Sequence, residues 1–343
     1  MRCIDKKRRL LSIILIIAIL SAGCISKKEK IVTEYETTNY DRYLYEGELF
    51  ANQLCVSNEN VSLNDFEVAS SLHAAALFGV DQKKVFLSEH MHDRLFPAST
   101  TKILTLYLAL KYGTLSDEVT VSKNAVSVPS DSSVAGLREG EQLTLEDLLY
   151  GLMLPSGNDS AVAIAEHISG SVDAFVQLMN QEANALGATN SHFVNPHGYH
   201  DKDHYTTAYD LYLIFNQGIQ NEKFVDIISS PSYTTDIKEP DGSVRSVTWR
   251  QSNLFVNGTR TAPENVTVVG GKTGTTDEAG ACLVLYEQDS QSRPYISVVM
   301  GAESKNALYT TMDHYYLPYQ GSHNESPIYI VKNLPYCQFC HKD

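Results

Sequence analysis

The chain contains 343 residues, which is enough for one or two domains with a large core. Its formal net charge at pH 7 is −14, from 27 lysines and arginines against 41 aspartates and glutamates. This acidic excess disfavours the electrostatic attraction to phosphate on which nucleic-acid binding depends. No nucleic-acid partner is therefore expected.

The N-terminus has the pattern of an export signal. Four basic residues at positions 6–9 precede an apolar run from Leu10 to Leu20, which is followed by Ser21-Ala22-Gly23-Cys24. The run is too short for a spanning helix, which needs roughly 20 apolar residues. Small residues before Cys24 permit cleavage, and the segment resembles bacterial lipoprotein signals, in which the cysteine carries a lipid. We therefore predict a signal peptide over residues 1–23 and lipidation of Cys24.

An uncleaved N-terminal anchor remains the alternative, because Ser21 occupies a position where an aliphatic residue is commoner. Either outcome places the bulk of the chain outside the cytoplasm, anchored to the outer face of the cytoplasmic membrane. Cleavage would remove five basic residues and Asp5 and change the net charge from −14 to −18. No polybasic second membrane signal is then expected. Residues 24–66 are polar and weakly periodic, which predicts a tether with little rigid structure.

The predicted elements begin with a β-hairpin at residues 69–88, where two apolar runs flank a turn. Helical spacing of apolar residues then dominates five segments, at 99–111, 144–154, 159–168, 171–186 and 208–217. Strand patterns return at 266–270, 280–287 and 295–301, and a last helix is predicted at 305–315. Strands at both ends of a helical middle predict an α+β fold, with one sheet built from the N- and C-terminal parts.

The first chemically informative segment is Pro97-Ala98-Ser99-Thr100-Thr101-Lys102, which opens the first predicted helix. Residues i and i+3 share a helix face, so Lys102 can approach the Ser99 hydroxyl. A protonated alcohol is a weak nucleophile and needs such a base. A lysine can serve only if burial and a nearby positive charge lower its pKa from about 10.4. The pair alone also fits a helix cap followed by a solvated lysine.

Two later segments supply further polar groups. Leu154-Pro155-Ser156-Gly157-Asn158 lies between two predicted helices, where Ser156 and Asn158 by themselves would indicate turn and cap residues. Lys272-Thr273-Gly274-Thr275 stands at the end of an apolar strand, where Gly274 would let a substrate backbone approach closely. In this order, Ser-x-x-Lys, Ser-x-Asn and Lys-Thr-Gly match a known active-site set. The set predicts a serine acyl-transfer enzyme.

With these motifs, the chain resembles the serine-type D-alanyl-D-alanine carboxypeptidases, the low-molecular-mass penicillin-binding proteins. The likeness spans about residues 72–300 and extends to Asn195-Pro196-His197-Gly198 and Thr207-Ala208-Tyr209-Asp210-Leu211. It implies a transpeptidase/β-lactamase-like fold, an antiparallel sheet flanked by helices with a mainly helical insert. The expected catalytic domain covers residues 67–318, followed by a short tail at 319–343.

The resemblance also implies a substrate and a mechanism that needs no cofactor or metal. The substrate would be a peptidoglycan stem peptide ending in D-Ala-D-Ala, with β-lactams as inhibitors. Ser99 would attack the carbonyl between the two D-alanines and form an acyl-enzyme, while Lys102 takes the hydroxyl proton. Ser156 would relay a proton to the leaving D-alanine. Asn158 would bind the substrate amide and help fix Lys102, and Lys272 would supply the second cation.

Substrate recognition is assigned by the resemblance to the segment Thr273-Gly274-Thr275, whose threonine hydroxyls would bond the terminal carboxylate. The backbone N–H groups of Ser99 and Thr275 would form the oxyanion hole, where losing one donor costs about 10²–10³ in rate. Better-known members of the family add an arginine after the last core strand. Here the stretch from Gly301 offers only Lys305, so carboxylate recognition departs from the family pattern.

The C-terminal end and the cysteines carry smaller predictions. Few residues follow Met300, so the family's usual β-rich C-terminal domain has little room, and the N-terminal tether is expected to replace its positioning role.

Cys337-Gln338-Phe339-Cys340-His341 formally matches a haem-attachment motif. A tail disulfide or chance is preferred, because no haem-domain pattern surrounds it. Cys282 lies in an apolar run and is predicted to be a buried free thiol, whereas Cys55 is unassigned.

A zinc carboxypeptidase is one alternative that removes the same D-alanine. The densest group of potential metal ligands comprises His192, His197, His200 and His204, with Asp201 and Asp203. This segment nevertheless resembles the family's Asn-Pro-His-Gly loop, where no metal is expected.

Two further alternatives share the motif set. A β-lactamase needs fast deacylation, in some classes through a glutamate on a later loop, but residues 192–198 contain no acid. Glu166 is predicted to be a surface residue, so slow deacylation from β-lactams is expected. A non-catalytic cell-wall-peptide or β-lactam sensor is the alternative from another class, although pure binding would not require Lys102. The division between carboxypeptidase, endopeptidase and transpeptidase outcomes stays open.

Overall fold

The first strands form the hairpin that the sequence predicts. The computed structural model describes residues 53–62 and 72–315, and in it β1 (Ala74–Gly79) pairs antiparallel with β2 (Lys84–Glu89). The other edge of β1 pairs with β9 (Pro294–Ala302). Every residue of β1 is buried, in agreement with its continuous run of small and apolar side chains.

The main sheet has five antiparallel strands in the order β2-β1-β9-β8-β7, with β7 at Val266–Thr276 and β8 at Gly280–Asp289. The N-terminal hairpin therefore joins the C-terminal strands, and the predicted α+β fold class is confirmed. Successive side chains of β8 face opposite sides of the sheet. Leu283 belongs to one buried cluster and Val284 to the other, so both faces need a covering layer.

Helices provide these layers. The last helix, α7 (Lys305–Tyr315), has the predicted bounds and packs Leu308, Tyr309 and Met312 on one side of the sheet. The segment between β2 and β7 contains six further helices: α1 (Lys102–Tyr112), α2 (Leu145–Met153), α3 (Asn158–Ser169), α4 (Val172–Ala185), α5 (Ala208–Gly218) and α6 (Glu222–Ser229). The first five are predicted from sequence and confirmed. The prediction misses α6, which has only eight residues.

The insert also contains a second sheet that the sequence analysis did not predict. Its order is β3-β4-β5-β6, and its strands are β3 (Glu118–Thr120), β4 (Gln142–Thr144), β5 (Ser232–Lys238) and β6 (Val244–Arg250). Only Ile237 in β5 and Trp249 in β6 are buried. These mostly polar strands lack the apolar alternation that signals a strand. Their stability depends on tertiary contacts, such as the bond of 2.8 Å from Trp249 Nε1 to the Ala135 carbonyl.

The end of the predicted tether is more ordered than expected. Cys55 is fully buried, its backbone N–H donates to the Tyr212 hydroxyl at 2.9 Å, and its carbonyl accepts from the Tyr209 hydroxyl at 3.0 Å. Val61 forms an antiparallel bridge with Ser88 at the end of β2. The prediction of little rigid structure is therefore wrong for residues 54–62. These contacts involve backbone groups, which hydrophobic periodicity does not report.

Several predictions fall outside the described residues. These are the signal peptide, Cys24, most of the tether, and the C-terminal tail with Cys337 and Cys340. Among the helices of the described part, none has the length and apolar character needed to cross a membrane.

Candidate active site

Ser99 lies in a 3₁₀ turn, Ala98–Thr101, that runs directly into α1. Side chains at i and i+3 align in such a turn. Lys102 begins α1, and its Nζ lies 3.0 Å from Ser99 Oγ. The predicted pair is thus within hydrogen-bonding distance. A neutral amine in this position can accept the hydroxyl proton.

Lys102 is completely buried and held by three oxygen atoms. Besides Ser99 Oγ, its Nζ contacts Asn158 Oδ1 and the His197 carbonyl, each at 2.7 Å. Burial, and then the positive charge of Lys272, lower the pKa of Lys102 well below its ordinary value, although Asp159 acts in the opposite direction. This is the direction that a lysine base requires. The surrounding oxygens also hold the amine in one position.

Ser156 lies in the turn between α2 and α3, as predicted, whereas Asn158 is the first residue of α3. Ser156 has a φ of 66°, in the left-handed region that non-glycine residues rarely adopt. Such strain is characteristic of functional sites. Lys272 Nζ donates to Ser156 Oγ at 3.0 Å. Burial, followed by the charge of Lys305, lowers the pKa of Lys272 to about 7.

The Lys-Thr-Gly segment lies inside β7 and not at the end of a strand, which corrects the sequence prediction. β7 continues to Thr276 because it pairs with β8 throughout, including Gly274 with Cys282. A Cβ built on Gly274 would lie 3.0 Å from the backbone N of Ser99. Glycine here lets β7 approach the nucleophile's turn closely. The predicted oxyanion donors of Ser99 and Thr275 therefore belong to adjacent backbone segments.

The two threonines of this segment face a cleft. Thr273 Oγ1 exchanges a hydrogen bond of 2.8 Å with Ser252 Oγ, and the exposed Thr275 donates from Oγ1 to the Gly274 carbonyl at 2.7 Å. The cleft has a volume of about 150 Å³. Its lining comprises Ser99, Ser133, Pro155, Ser156, Ser252, Leu254, Thr273, Gly274, Thr275, Cys282, Lys305, Leu308 and Tyr309. The structure thus brings the predicted serines, threonines and Lys305 to one opening.

Comparison with known proteins identifies the family. A sequence model described as D-alanyl-D-alanine carboxypeptidase matches residues 60–304. The chain belongs to the D-alanyl-D-alanine carboxypeptidase family. This confirms the resemblance inferred from the motifs.

Relatives in this family include DacF of Bacillus subtilis and DacA of Escherichia coli, both named D-alanyl-D-alanine carboxypeptidase. DacF is 35% identical over 254 residues, covering 72% of this chain and 62% of DacF. DacA is 36% identical over 249 residues, covering 68% of this chain and 58% of DacA. The chain therefore spans about three fifths of the length of these relatives.

Two solved structures agree with the family assignment. The crystal structure of a Streptomyces DD-transpeptidase matches with a TM-score of 0.68 at 27% identity, covering 74% of this chain and 98% of that chain. Penicillin-binding protein 5 from Haemophilus influenzae matches with a TM-score of 0.63 at 29% identity, covering 73% of this chain and 70% of that chain. The transpeptidase-like fold is thus shown.

Asp159, which follows Asn158, is a supporting residue to which the sequence analysis gave no role. Its buried carboxylate accepts backbone N–H groups of Ala135 at 2.7 Å, Gly136 at 2.9 Å and Leu137 at 3.0 Å. The adjacent Asn158 N–H donates to the Ser133 carbonyl at 2.9 Å. The start of α3 thereby fixes the loop that forms one wall of the cleft. Spacing alone could not reveal this, because the partners are backbone groups about 20 residues away.

The family loop Asn195–Gly198 supports the other side of Lys102. Gly198 has a φ of 84°, and a Cβ built on it would lie 1.8 Å from the Ala98 carbonyl oxygen. We expect Gly198→Ala to destabilise the fold by about 2–5 kcal/mol, because an impossible contact adds to left-handed strain. The loop must also shift away from Lys102, so acylation should slow. Chemical denaturation and a penicillin-labelling rate measure the two effects.

Gly170→Ala is the matched control for this prediction. Gly170 also has a positive φ, 77°, but a Cβ there meets nothing within 4 Å. In Gly170→Ala, left-handed backbone strain alone should lower the free energy of unfolding by about 1–2 kcal/mol. Acylation should not slow. Equal losses of stability in both variants would show that the contact with Ala98 is unimportant.

The histidine-rich segment does not form a ligand cage. Across residues 53–62 and 72–315, no three His, Cys, Asp or Glu side chains are placed to hold a metal ion. His204 Nε2 instead lies 2.8 Å from Thr101 Oγ1, and His192 Nδ1 lies 2.5 Å from the Asp203 carbonyl. The geometry therefore gives the zinc alternative no support.

The remaining predictions concern Glu166 and the cysteines. Glu166 was predicted to be a surface residue but is half-buried; it accepts from Ser122 Oγ at 2.6 Å and from Asn124 Nδ2 at 2.8 Å, and it is not among the residues that line the cleft. Cys282 is a buried free thiol, as predicted, and Cys55 is another. Burial raises the pKa of Cys282 to about 11, so its thiol is a poor nucleophile near neutral pH.

Proposed function

We propose that this protein is a serine D-alanyl-D-alanine carboxypeptidase that removes the terminal D-alanine from peptidoglycan stem peptides and is inhibited by β-lactams. The family assignment and the printed names of its relatives support this activity. The arrangement of three motifs around one cleft supports it independently. No cofactor is required by the chemistry that these residues offer.

One observation carries the proposal. Lys102 Nζ lies 3.0 Å from Ser99 Oγ, fully buried and with its pKa lowered well below the ordinary value. Burying an ionisable amine costs free energy of folding, so a buried amine with a strongly shifted pKa is characteristic of a functional site. A pure binding protein has no need of such a base. The observation therefore favours an enzyme over a non-catalytic sensor.

In the proposed mechanism, neutral Lys102 takes the proton of Ser99 as Oγ attacks the carbonyl carbon between the two D-alanines. The backbone N–H groups of Ser99 and Thr275 stabilise the developing oxyanion. Protonated Lys272 and Ser156, 3.0 Å apart, deliver a proton to the leaving amine. Asn158 holds both Lys102 and the substrate amide. Water then attacks the acyl-enzyme and passes its proton through Ser156 to Lys272, while Lys102 returns its proton to Ser99 Oγ as the ester bond breaks, so the shortened peptide leaves a regenerated enzyme.

A direct test incubates the full-length protein with an acylated Lys-D-Ala-D-Ala peptide and measures free D-alanine. We expect catalytic release that a penicillin blocks, and a stable penicillin adduct on the tryptic peptide that contains Ser99. Addition of an amino acceptor distinguishes hydrolysis from transpeptidation. Binding of penicillin without any release of D-alanine would instead support the sensor. Rapid penicillin turnover with no loss of peptidase activity would support a β-lactamase.

Lys305 is our candidate for the cation that recognises the substrate carboxylate. It begins α7, lines the cleft with Thr273 and Thr275, and is close enough to lower the pKa of Lys272. Hydrogen bonds to charged groups contribute about 1.5–3 kcal/mol. Lys305→Met should therefore raise KM for the peptide by about tenfold or more.

The same variant has a pH signature. Lys272 must be charged in the proposed mechanism, so activity should fall as the pH rises through its pKa of about 7. Without the charge of Lys305, the pKa of Lys272 should rise towards its ordinary value and move this alkaline limb to higher pH. The pH dependence of kcat measures the shift, and Lys202→Met, at an exposed position, is the control. An alkaline limb at the same pH in Lys305→Met and in the wild type would contradict the electrostatic coupling between Lys305 and Lys272.

We further propose that the protein is exported and held at the outer face of the cytoplasmic membrane by a lipid on Cys24. The sequence pattern around Cys24 supports this location, which also places the enzyme beside its substrate. Cys24→Ala should move the protein from the membrane to the soluble fraction or leave an unprocessed precursor of higher mass. Cys3→Ala, within the predicted signal, should leave membrane attachment unchanged. Full membrane retention of mature-size Cys24→Ala protein would contradict lipid anchoring.

A further inference from the structure

The peptide unit immediately before the nucleophile has an unusual conformation. Ala98 has a φ of 47°, in the left-handed region that disfavours residues with a Cβ. Its carbonyl oxygen accepts a hydrogen bond of 2.8 Å from Thr101 Oγ1. The backbone of Gly198 packs against the same carbonyl, where a Cβ would lie 1.8 Å from the oxygen. The strained conformation is therefore held from the protein interior.

His204 is the next member of this network. Its side chain is buried, with Nε2 2.8 Å from Thr101 Oγ1 and Nδ1 3.1 Å from the backbone N of Val194. The Val194 N–H can only donate, so Nδ1 accepts and Nε2 carries the proton. Nε2–H then donates to Thr101, whose own hydroxyl proton points to Ala98. The direction of every hydrogen bond is fixed by a backbone donor at one end and a backbone acceptor at the other.

The orientation of the Ala98 carbonyl determines that of the Ser99 N–H. In a trans peptide, the C=O and the N–H of one plane point in opposite directions. Because Thr101 holds the carbonyl inward, the Ser99 N–H points the other way. Strand β7 passes on that side of the Ser99 nitrogen. A Cβ built on Gly274 of β7 would lie only 3.0 Å from this nitrogen.

We propose that His204 is a positioning residue that, through Thr101, holds the Ala98–Ser99 peptide so that the Ser99 N–H is aimed at the substrate oxyanion. The inference rests on the proposed function, because an oxyanion forms only if Ser99 attacks a carbonyl. His204 is not among the residues that line the cleft, so it acts through Thr101. Burial lowers the pKa of His204 to about 3, so the ring keeps its neutral form at the working pH.

The test compares His204→Phe with His204→Gln in the full-length protein. Phenylalanine fills the space beside Phe193 but cannot donate to Thr101, whereas a glutamine amide can donate. Acylation by a fluorescent penicillin gives the dissociation constant of the non-covalent complex and the rate constant of acylation. A misplacement of about 1 Å can cost 10²-fold in rate. We expect His204→Phe to slow acylation by about 10–10²-fold with little change in the dissociation constant, and His204→Gln to recover most of the rate.

A double-mutant cycle separates positioning from general loss of stability. Thr101→Val keeps the branched shape but removes the hydroxyl, and it should slow acylation as much as His204→Phe. Because both changes interrupt one network, the double variant should be little slower than either single variant. Thr101→Ser should keep the rate. His192→Phe, an exposed histidine on the same segment, is the control, and melting temperatures show that each variant is folded.

The outcomes are distinguishable. Folded His204→Phe with a wild-type acylation rate, or additive effects in the double variant, would overturn the role of His204 while leaving the proposed function intact. Slower acylation explained entirely by weaker non-covalent binding would also overturn it. Wild-type protein that is never acylated and releases no D-alanine would overturn both proposals.

Discussion

Ser99→Ala should abolish release of D-alanine and covalent labelling by penicillin, because the acyl-enzyme cannot form without the hydroxyl. Ser99 is the hydroxyl that contacts Lys102, at 3.0 Å, whereas Ser156 accepts a hydrogen bond from Lys272 and Ser252 pairs with Thr273. The loss should reach the detection limit of a D-alanine assay. The fold should be unaffected, since Ser99 is half-buried at the cleft surface.

Two measurements, of the penicillin adduct and of D-alanine release, test whether Ser99 alone is the nucleophile. Intact-protein mass spectrometry should show the penicillin adduct on wild-type protein and on Ser243→Ala, a change in the exposed turn after β5. The adduct should be absent from Ser99→Ala. Persistent labelling or persistent D-alanine release by Ser99→Ala would identify a different nucleophile and refute the proposed mechanism.

Lys102→Gln should slow acylation by about 10²–10⁴-fold, the usual contribution of a general base. Glutamine is one bond shorter than lysine and keeps a polar end, but its amide cannot take the Ser99 proton. In the wild-type enzyme, Lys102 is active only when neutral, so the rate should rise as the pH increases through its lowered pKa. This acid limb should disappear in the variant. Stopped-flow acylation from pH 5 to 9 would show both effects.

Lys202→Gln is the control for this change, because Lys202 is an exposed lysine with a side chain 86% accessible. It should keep the wild-type rate and pH profile. A Lys102→Gln variant that is folded and acylated at a near-normal rate would contradict the role of Lys102 as base. So would a wild-type profile whose only basic group titrates near the ordinary lysine value.

The sequence analysis was strongest where one local segment contains the whole feature. Ser99 and Lys102 are three residues apart, so the turn itself brings their side chains together. The hairpin β1–β2, five helices and three C-terminal strands were predictable because each has a clear apolar period. Where the pattern is polar, as in β5 and β6, or short, as in α6, the prediction failed. Those elements are stabilised by packing on neighbours that a local pattern does not reveal.

The sequence by itself determined the fold class, the family and the motif residues of the site. Only the tertiary structure decided how these residues are arranged, because their partners lie far apart in the chain. It placed Lys272 beside Ser156, buried Lys102 among oxygens of Asn158 and His197, and set Lys305 at the cleft. The lowered pKa of each buried lysine has its main cause in burial, which is a property of the folded molecule and not of any segment.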